Sequence, residues 1–295
     1  MNEHLIEAAT GTWIGGRERQ EDACIAHVLP REETGLIVLS DGMGGHCDGD
    51  IASRAIVTEV LSDLFLAASR PDVLRLHGPA ILRRALEAAN GRVRSHSGES
   101  DGSGMGGTLI SGVILDDTVR WISVGDSPLY LYRDGTLSRL NADHSFAPQI
   151  DMMLARGEIG PDEARDHPQR SILTSAITGG PISRVDCPDE PTKLRPGDVL
   201  LFASDGIATL DTSEIEALLQ HREDAAPQQI VDGLIEAVEA RSDHDQDNVS
   251  AVVVTVRAAA PETTEQASYI GEQVHRMRRR MTRLTTGFST GGVRP

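Results

Sequence analysis

Acidic residues in a shared sequence context are the clearest sign of chemistry in this chain. Four aspartates each lie at one end of an apolar segment, and they are Asp41 (Leu-Ser-Asp-Gly), Asp126 (Val-Gly-Asp-Ser), Asp205 (Ala-Ser-Asp-Gly) and Asp247 (Asp-Asn-Val). Glu21 and Asp22 stand directly before a further apolar segment. Acids that end strands at one rim of a sheet converge in space. We therefore expect a cluster of carboxylates.

Such a cluster predicts divalent cations. Carboxylates repel one another unless cations lie between them, and oxygen-only ligands favour Mg²⁺ or Mn²⁺ over zinc. Two ions about 3.5–4 Å apart, bridged by one carboxylate and one water, generate a hydroxide for in-line attack on phosphorus. Arg17, close in sequence to Glu21 and Asp22, can fork onto phosphoryl oxygens.

The stretch of residues 40–46, Ser-Asp-Gly-Met-Gly-Gly-His, contains the first of these aspartates. It lies between an apolar run at residues 35–39 and an apolar-periodic segment from Ile51, which predicts a strand, a tight glycine turn and a helix. Glycine lets the backbone approach a small charged ligand because no Cβ blocks it. On this stretch alone, the ligand is either a metal or a phosphate.

Simpler interpretations compete for each feature taken singly. One Asp-Gly at a strand end is usually a turn, and the glycines at residues 42–45 and 104–107 match neither the GxGxxG nor the Walker pattern. The acids at residues 243, 245 and 247 are spaced as in a calcium loop, but Asn248 and Val254 occupy the required glycine and glutamate positions. No cysteine has the C-x5-R spacing of a thiolate phosphatase.

The composition excludes several classes of function. The 295-residue chain has a formal net charge of −17, so its surface repels nucleic-acid phosphates and anionic lipids. Three widely spaced cysteines without a CxxC pair indicate a reducing compartment and argue against structural zinc. We see no basic and apolar leader and no apolar run near the ~20 residues that span a bilayer. We expect a cytoplasmic monomer with no nucleic-acid partner and no membrane span.

Hydrophobic periodicity predicts the strands and helices that place the acids. Strands are expected at residues 12–14, 23–29, 36–39, 108–115, 119–124, 128–132, 137–140, 198–203 and 249–256. Helices are expected at residues 48–69, 79–93, 145–157, 212–220 and 226–240. The strands between residues 108 and 140 predict an antiparallel meander. The fold class is therefore α+β, with two antiparallel sheets covered by pairs of helices.

A change of charge predicts the domain boundary. Residues 271–295 contain six arginines and one acid on an otherwise acidic protein. Val274, Met277, Met281 and Leu284 have helical spacing, so this segment is either a short basic amphipathic helix or a solvated chain. We expect one domain at residues 1–257, with an exposed excursion within residues 145–175, and a flexible basic tail at residues 258–295.

Taken in order, the motifs resemble those of the protein phosphatase 2C family, the metal-dependent Ser/Thr phosphatases, over residues 11–257. The matching motifs are Arg17-x-x-x-Glu21-Asp22, Asp41-Gly42-Met43-Gly44-Gly45-His46, Gly107-Thr108, Gly125-Asp126-Ser127, Asp143-His144-Ser145, Ser204-Asp205-Gly206 and Asp247-Asn248. Their shared order is more specific than any one motif. The form with Met43 resembles the bacterial branch.

This resemblance implies an α-β-β-α sandwich with a metal site at one end of its paired sheets. It implies hydrolysis of phosphoserine and phosphothreonine in proteins by a metal-bound water, with two Mn²⁺ or Mg²⁺ ions and possible room for a third. The implied partners are phosphorylated proteins, among them a Ser/Thr kinase and its substrates. A non-catalytic interaction module with the same fold, or a phosphatase specialised for one signalling regulator, are the alternatives.

The resemblance also assigns roles to single residues. Asp41 would bridge two metals and Gly42 would offer its carbonyl oxygen, while Asp205 and Asp247 would complete one ion. Glu21 and Asp22 would bind the other ion or its waters. Asp126 would help to bind a third metal, and Arg17 would bind the substrate phosphate. Residues 153–169 correspond to the family's flap, which is tied to substrate selection.

The chain departs from the family's motifs at a few positions. Gln20 precedes the acids where bacterial members usually have Asn, and Met43 replaces the histidine of the animal branch, so a histidine general acid is absent there. Pro128 stands where Arg is common, and Ser171 and Ser175 stand where Asn and Arg are frequent. These last changes concern substrate contacts, because the metal-position acids are retained.

Overall fold

The computed structural model describes residues 4–29, 34–44, 48–96, 104–221 and 225–258. The predicted basic tail lies outside these ranges, as do His46 and Cys47. Among the described helices, none has both the length and the apolar composition needed to cross a bilayer.

Two antiparallel sheets form the centre of the described chain. One has the strand order β1-β11-β10-β7-β8 and the other β2-β3-β5-β6-β9, with β4 paired to β3. The strands are β1 (His4–Trp13), β2 (Asp22–Leu29), β3 (Thr34–Met43), β4 (Gly106–Gly107), β5 (Leu109–Leu115), β6 (Thr118–Val124), β7 (Leu129–Arg133), β8 (Thr136–Arg139), β9 (Thr192–Lys193), β10 (Val199–Ala203) and β11 (Val249–Ala258).

Two pairs of helices cover the outer faces of the sheets. The described helices are α1 (Gly49–Ala68), α2 (Pro71–His96), α3 (Ala147–Ala155), α4 (Pro161–Arg165), α5 (Thr212–Gln220) and α6 (Pro227–Glu239), with a short 3₁₀ helix at Asp205–Thr209. The apolar faces of α1 and α2 pack on the sheet that contains β3 and β5. Those of α5 and α6 pack on the sheet that contains β10 and β11. The predicted α+β sandwich is confirmed.

A third apolar layer lies between the two sheets. Ile37 and Ile110 from one sheet meet Phe202 and Val252 from the other, and all four are buried. These residues alternate with outward-facing ones that contact the helices, because successive side chains of a strand point to opposite faces. The strands are therefore apolar on both faces, which explains their nearly continuous hydrophobic sequences.

The structure corrects three of the expected elements. The predicted meander is wrong, because β6 and β7 belong to different sheets and the chain crosses between them at Gly125, where φ is +101°. The first strand is longer than expected and begins at His4. The second helix begins at Pro71 with a bend at His77, since Pro79 lacks the N–H that would continue the helical bonding.

Strand pairing brings the predicted acids to one end of the sandwich. Asp22, at the start of β2, is the register partner of Asp41 near the end of β3. In the other sheet Ala203, the last residue of β10, pairs with Ala251 near the start of β11. Asp205, just after the end of β10, therefore lies near Asp247, which comes just before the start of β11.

Candidate metal centre

A cavity of about 690 Å³ opens at this end of the sandwich. Seven of the eight residues predicted for the site line it, and they are Arg17, Glu21, Asp41, Gly42, Asp126, Asp205 and Asp247. The structure thus brings together side chains from five separate segments of the chain.

Asp41 is held from β3 by its backbone and by one threonine. Its N–H donates to Thr108 Oγ1 at 3.0 Å, and its carbonyl accepts from the Thr108 N–H at 2.8 Å. Ser40 Oγ donates to the Thr108 carbonyl at 2.7 Å, and the Thr108 hydroxyl also contacts Ser127 Oγ at 2.7 Å. Thr108 therefore connects the Asp41 backbone to the turn that carries Asp126.

The Asp41 and Asp205 carboxyl groups meet at the floor of the cavity. Burial raises the pKa of Asp41 well above its ordinary value, and the charge of Asp205 raises it further. Burial also raises the pKa of Asp205, followed by the charge of Asp247, while a hydrogen bond with Asp41 opposes the shift. Asp205 Oδ1 is inaccessible to solvent and has no hydrogen-bond partner among the described residues. Among the described residues, no Arg, Lys or His forms an ion pair with Asp41 or Asp205, although Arg17 pairs with the neighbouring Asp247.

Asp126 lies at the side of the same cluster, on the turn between the two sheets. Burial raises the pKa of its carboxyl to about 7, and the charges of Asp205 and Asp143 add to the shift. Arg139 Nη2 donates to the Asp126 carbonyl at 2.6 Å, while Arg139 Nη1 donates to Asp143 at 3.1 Å. The turn is thus fixed from β8 by a cation that binds its backbone.

Glu21 reaches the cavity from the loop before β2. Its N–H donates to Asn248 Oδ1 at 2.7 Å, and the Asn248 amide donates to the carbonyls of Ile14 and Arg19 at 2.8 and 2.9 Å. Burial and the charge of Asp50 raise the pKa of Glu21. Asn248 is therefore the residue that holds the acidic loop against the start of β11.

Gly42 lies at a crowded position near the end of β3. A Cβ at this position would lie 2.0 Å from the Gly49 carbonyl oxygen and 2.5 Å from that of Glu21. Its N–H donates to the Glu21 carbonyl at 3.1 Å. Only glycine allows the three backbone segments to approach this closely.

Arg17 and Asp247 form an ion pair at the mouth of the cavity. Arg17 Nη2 donates to Asp247 Oδ2 at 2.7 Å, and the two side chains are 55% and 43% exposed. Such an exposed pair contributes about 0–1 kcal/mol to stability. Because the pair is weak, a ligand that enters the cavity can separate it and bind to the guanidinium or to the carboxylate.

Asp22 is the one predicted site residue that does not line the cavity. Its carboxyl lies behind the floor at 7% exposure, and Ser204 Oγ donates to its Oδ2 at 2.7 Å. Burial raises the pKa of Asp22 to about 7, with the charges of Asp205 and Asp247 adding to the shift and the Ser204 hydrogen bond opposing it. Its place is directly beneath the carboxylates that line the cavity.

The family model of Protein phosphatase 2C matches residues 14–247 of the chain. The chain belongs to the protein phosphatase 2C family. It is 31% identical over 206 residues to protein phosphatase PhpP of Streptococcus pneumoniae, which covers 70% of this chain and 80% of PhpP. The family thereby accounts for the order of the motifs and for the fold that brings them together.

Two further comparisons concern a mycobacterial member of the protein phosphatase 2C family. The chain is 34% identical over 190 residues to serine/threonine protein phosphatase PstP of Mycobacterium tuberculosis, which covers 62% of this chain and 34% of PstP. The chain thus spans about a third of the length of that relative. The fold is similar to the catalytic domain of PstP in complex with two manganese ions, with TM-score 0.67 and 27% identity over 86% of this chain and 99% of that one.

The donor set of this protein phosphatase 2C chain fits a hard divalent cation. Among the described residues, no three or more His, Cys, Asp or Glu side chains already surround a position for an ion. Mg²⁺ is usually held through one or two carboxylates and keeps several waters, so its binding requires no closed protein cage. The unpartnered Asp205 Oδ1 and the raised pKa of Asp41 are what a cation between these groups would relieve.

Several residues that shape the site carried no role in the sequence analysis. Thr108 and Asn248 belonged to quoted motifs, so their presence in the motifs was the available signal. Arg139 had no such signal, because only the fold brings β8 beside the Asp126 turn. Ser204 and Gln20 both hold Asp22, since Ser204 Oγ donates to its carboxyl and Gln20 Oε1 accepts from its N–H at 3.1 Å.

One wall of the cavity comes from residues within the segment 171–183. Ser175, one of the departures from the family's motifs, is buried and directed into its own loop. Its Oγ donates to the Arg184 carbonyl at 2.7 Å and accepts from the Arg184 N–H at 2.9 Å. The Ser175 hydroxyl therefore closes this loop and is not offered to a substrate, whereas Ser171 is exposed on the rim.

Proposed function

We propose that this chain hydrolyses phosphoserine and phosphothreonine in proteins with a binuclear Mn²⁺ or Mg²⁺ centre. The observation that carries the proposal is the convergence of seven predicted residues on one cavity within a protein phosphatase 2C fold. Named relatives of the family include serine/threonine protein phosphatase PstP. The acidic, open cavity suits a phosphorylated chain once cations balance its charge.

The cations would be held on the floor of the cavity. Asp41, Asp205 and Asp247 would provide carboxylate oxygens, and Gly42 its carbonyl oxygen. Glu21, Asp22 and Asp126 are proposed for the second ion, its waters and a possible third ion. When bound, Mn²⁺ or Mg²⁺ supplies a nucleophile at neutral pH and neutralises charge on the phosphoryl oxygens.

Arg17 is proposed to bind the substrate phosphate. Its guanidinium lies half-exposed at the mouth of the cavity beside Asp247, so it can turn to a phosphoryl group without unfolding any structure. A guanidinium presents parallel N–H donors that match two oxygens of a phosphate. Arg17 would then orient the phosphorus above the acids.

The leaving oxygen of the serine or threonine must gain a proton. Met43 lines the cavity but its thioether has no proton to donate. Among the described lining residues no His, Lys, Cys or Tyr takes its place. We infer that water in the open cavity supplies this proton.

We also infer the cellular setting from the chemistry. The proposed partners are phosphorylated proteins, including a Ser/Thr kinase whose action the enzyme would oppose and the substrates of that kinase. The widely spaced cysteines support a reducing, cytoplasmic location. Whether the enzyme acts on many phosphoproteins or on one signalling regulator is decided by comparing phosphoproteins in cells with and without it.

Phosphate release from a phosphothreonine peptide tests the proposed function. We expect Mn²⁺-dependent release by wild type, loss of release with a chelator, and a loss of at least about 100-fold in Asp41→Asn. Asp232→Asn, an exposed aspartate on α6, is the matched control and should retain wild-type activity. A folded wild type that binds no Mn²⁺ and releases no phosphate would support the non-catalytic interaction module instead.

A further inference from the structure

One wall of the cavity is formed by a closed loop, which we call the wall loop (residues 174–184). Thr178, Pro181 and Ser183 of this loop line the cavity. The two hydrogen bonds between Ser175 Oγ and the Arg184 backbone join the ends of the loop. The wall loop therefore moves as one piece if its attachments to the rest of the protein change.

One attachment of the wall loop lies at what we call its inner end, Ile177, beside the end of β3 that carries Asp41 and Gly42. The N–H and carbonyl of Ile177 exchange hydrogen bonds with those of Gly107 at 2.9 and 3.0 Å. Gly107 in turn pairs with Gly42 across β3 and β4. The inner end is thus fixed by backbone bonds that no side-chain substitution removes.

Thr174, at the start of the loop, donates from its N–H and Oγ1 to the His144 carbonyl at 2.7 and 2.9 Å. A further attachment lies at what we call the outer end, Gly179 and Gly180, and comes from two side chains of α2. Asn90 Nδ2 donates to the Gly180 carbonyl at 2.8 Å, and Asn90 Oδ1 accepts from the Gly179 N–H at 2.8 Å. Arg94 Nε donates to the Gly179 carbonyl. Adjacent peptide groups of the loop are therefore bound by side chains one helical turn apart.

Gly179 brings the loop backbone directly against α2. Its φ is +80°, and a Cβ there would lie 2.7 Å from the Arg94 Cα. Gly180 differs, since a Cβ there would meet Thr178 Oγ1 at an ordinary 3.6 Å. The close approach at Gly179 is what brings its peptide groups within reach of Asn90 and Arg94.

We propose that Asn90 and Arg94 are positioning residues that hold the wall loop at the distance from the acids that a phosphorylated polypeptide requires. This inference rests on the proposed function. A small phosphate ester needs only the floor of the cavity and Arg17. A phosphopeptide also extends along the rim, where Thr178, Pro181 and Ser183 lie. Release of the outer end alone therefore weakens peptide binding and leaves Asp41 and Gly42 at the end of β3 in place.

Amide hydrogen exchange tests the attachment itself, without reference to activity. In Asn90→Ala we expect faster exchange in peptides that cover residues 178–182, and unchanged exchange at residues 105–108. Arg92→Ala is the matched control, because Arg92 lies on the same helix and pairs with Glu59 on the surface at 2.9 Å. Unchanged exchange of the wall loop in Asn90→Ala would overturn the proposal.

A backbone substitution tests the same contact by another route. Gly179→Ala introduces both a strained φ and a clash with α2, so it should push the outer end away and accelerate the same amides. Gly180→Ala adds a methyl group at an ordinary contact distance from Thr178 Oγ1 and should not. Equal exchange in these two variants would contradict the inferred contact even if Asn90→Ala fails to fold.

Steady-state kinetics shows whether release of the wall loop weakens the binding of a phosphopeptide. For a phosphothreonine peptide we expect KM to rise roughly 10- to 100-fold in Asn90→Ala and Gly179→Ala, with kcat and KM for a small aryl phosphate close to wild type. Asn90→Asp keeps the acceptor for Gly179 and loses the donor for Gly180, so an intermediate KM is expected.

The outcomes separate this inference from the proposed function. Equal losses on both substrates would show that Asn90 supports the fold or the metal centre and would overturn the positioning role. If wild type hydrolyses neither substrate, the proposed function fails and the substrate role of the wall loop fails with it. The exchange data would then still decide whether Asn90 holds the loop.

Discussion

At the scale of single residues, the buried Asp22 carboxyl couples pH to stability. Burial is the main reason why its pKa is about 7 in the folded protein, whereas an aspartate in the unfolded chain has a pKa of about 4. Between these values the folded state keeps a proton that the unfolded state has lost. Without metal, this contribution to stability is complete below about pH 4 and is lost as the pH rises through about 7.

Asp22→Asn removes this titration because an amide does not ionise. We expect metal-free Asp22→Asn to gain stability over wild type at about pH 8, by up to a few kcal/mol at ~1.4 kcal/mol per pKa unit. The gain should be smaller at about pH 5, where wild type is still protonated. Urea unfolding with a chelator measures both values. A gain that is equal at the two pH values would contradict the assignment.

Thr108 offers a second test at the residue scale, since its hydroxyl binds both the Asp41 N–H and Ser127. Thr108→Val keeps the shape and leaves the Asp41 N–H without its partner, so we expect peptide hydrolysis to fall about 10- to 100-fold. Thr108→Ser should recover most of the activity. Full activity in Thr108→Val would mean that the backbone contacts alone hold Asp41.

At the scale of elements, the sequence predicted strand ends better than strand neighbours. The acids beside apolar runs located one end each of β6, β10 and β11, and β3 continues to Met43. Asp126 marked the end of β6, but it did not show that the chain crosses there to the other sheet. A turn within a hairpin and a turn between two sheets have similar sequences, and only tertiary packing distinguishes them. The Pro71 start of α2 was missed because Pro79 resembles a helix start.

The layer between the two sheets is the element-scale feature on which the site depends. Phe202 on β10 is fully buried there, whereas Phe65 on α1 is 51% exposed. We expect Phe202→Ala to lower the free energy of unfolding by about 3–5 kcal/mol and Phe65→Ala by roughly 0.5 kcal/mol or less. Urea unfolding measures both variants. Similar losses would show that the inter-sheet layer is not the stabilising core.

At the scale of the whole molecule, the fold and most of the candidate site could be predicted from the sequence. The motifs are far apart in the chain, and a metal site forms only in a fold that brings them together. Several acids in a fixed order are compatible with few folds, and the match over residues 14–247 confirms the family. The supporting residues were not predictable. Arg139 and Asn90 act through backbone groups whose positions the sequence does not reveal, and Asn90 does so across about 90 residues.

Metal binding should stabilise the whole domain, since a cation among the acids binds the folded state alone. We expect Mn²⁺ at 100-fold above its dissociation constant to add about 2.7 kcal/mol to the free energy of unfolding. In Asp205→Asn most of this gain should be lost, whereas Asp232→Asn should retain it. Thermal unfolding with and without Mn²⁺ measures the gain, and a metal-independent melting temperature in wild type would contradict it.

The acids at the strand ends are proposed to hold the cations. Anomalous diffraction at the manganese edge, from crystals grown with Mn²⁺, tests this most directly. We expect peaks at about 2.0–2.3 Å from carboxylate oxygens of Asp41, Asp205 and Asp247, with one peak shared through Asp41. An ordered cavity without a manganese peak, or manganese bound only elsewhere on the protein, would contradict the account.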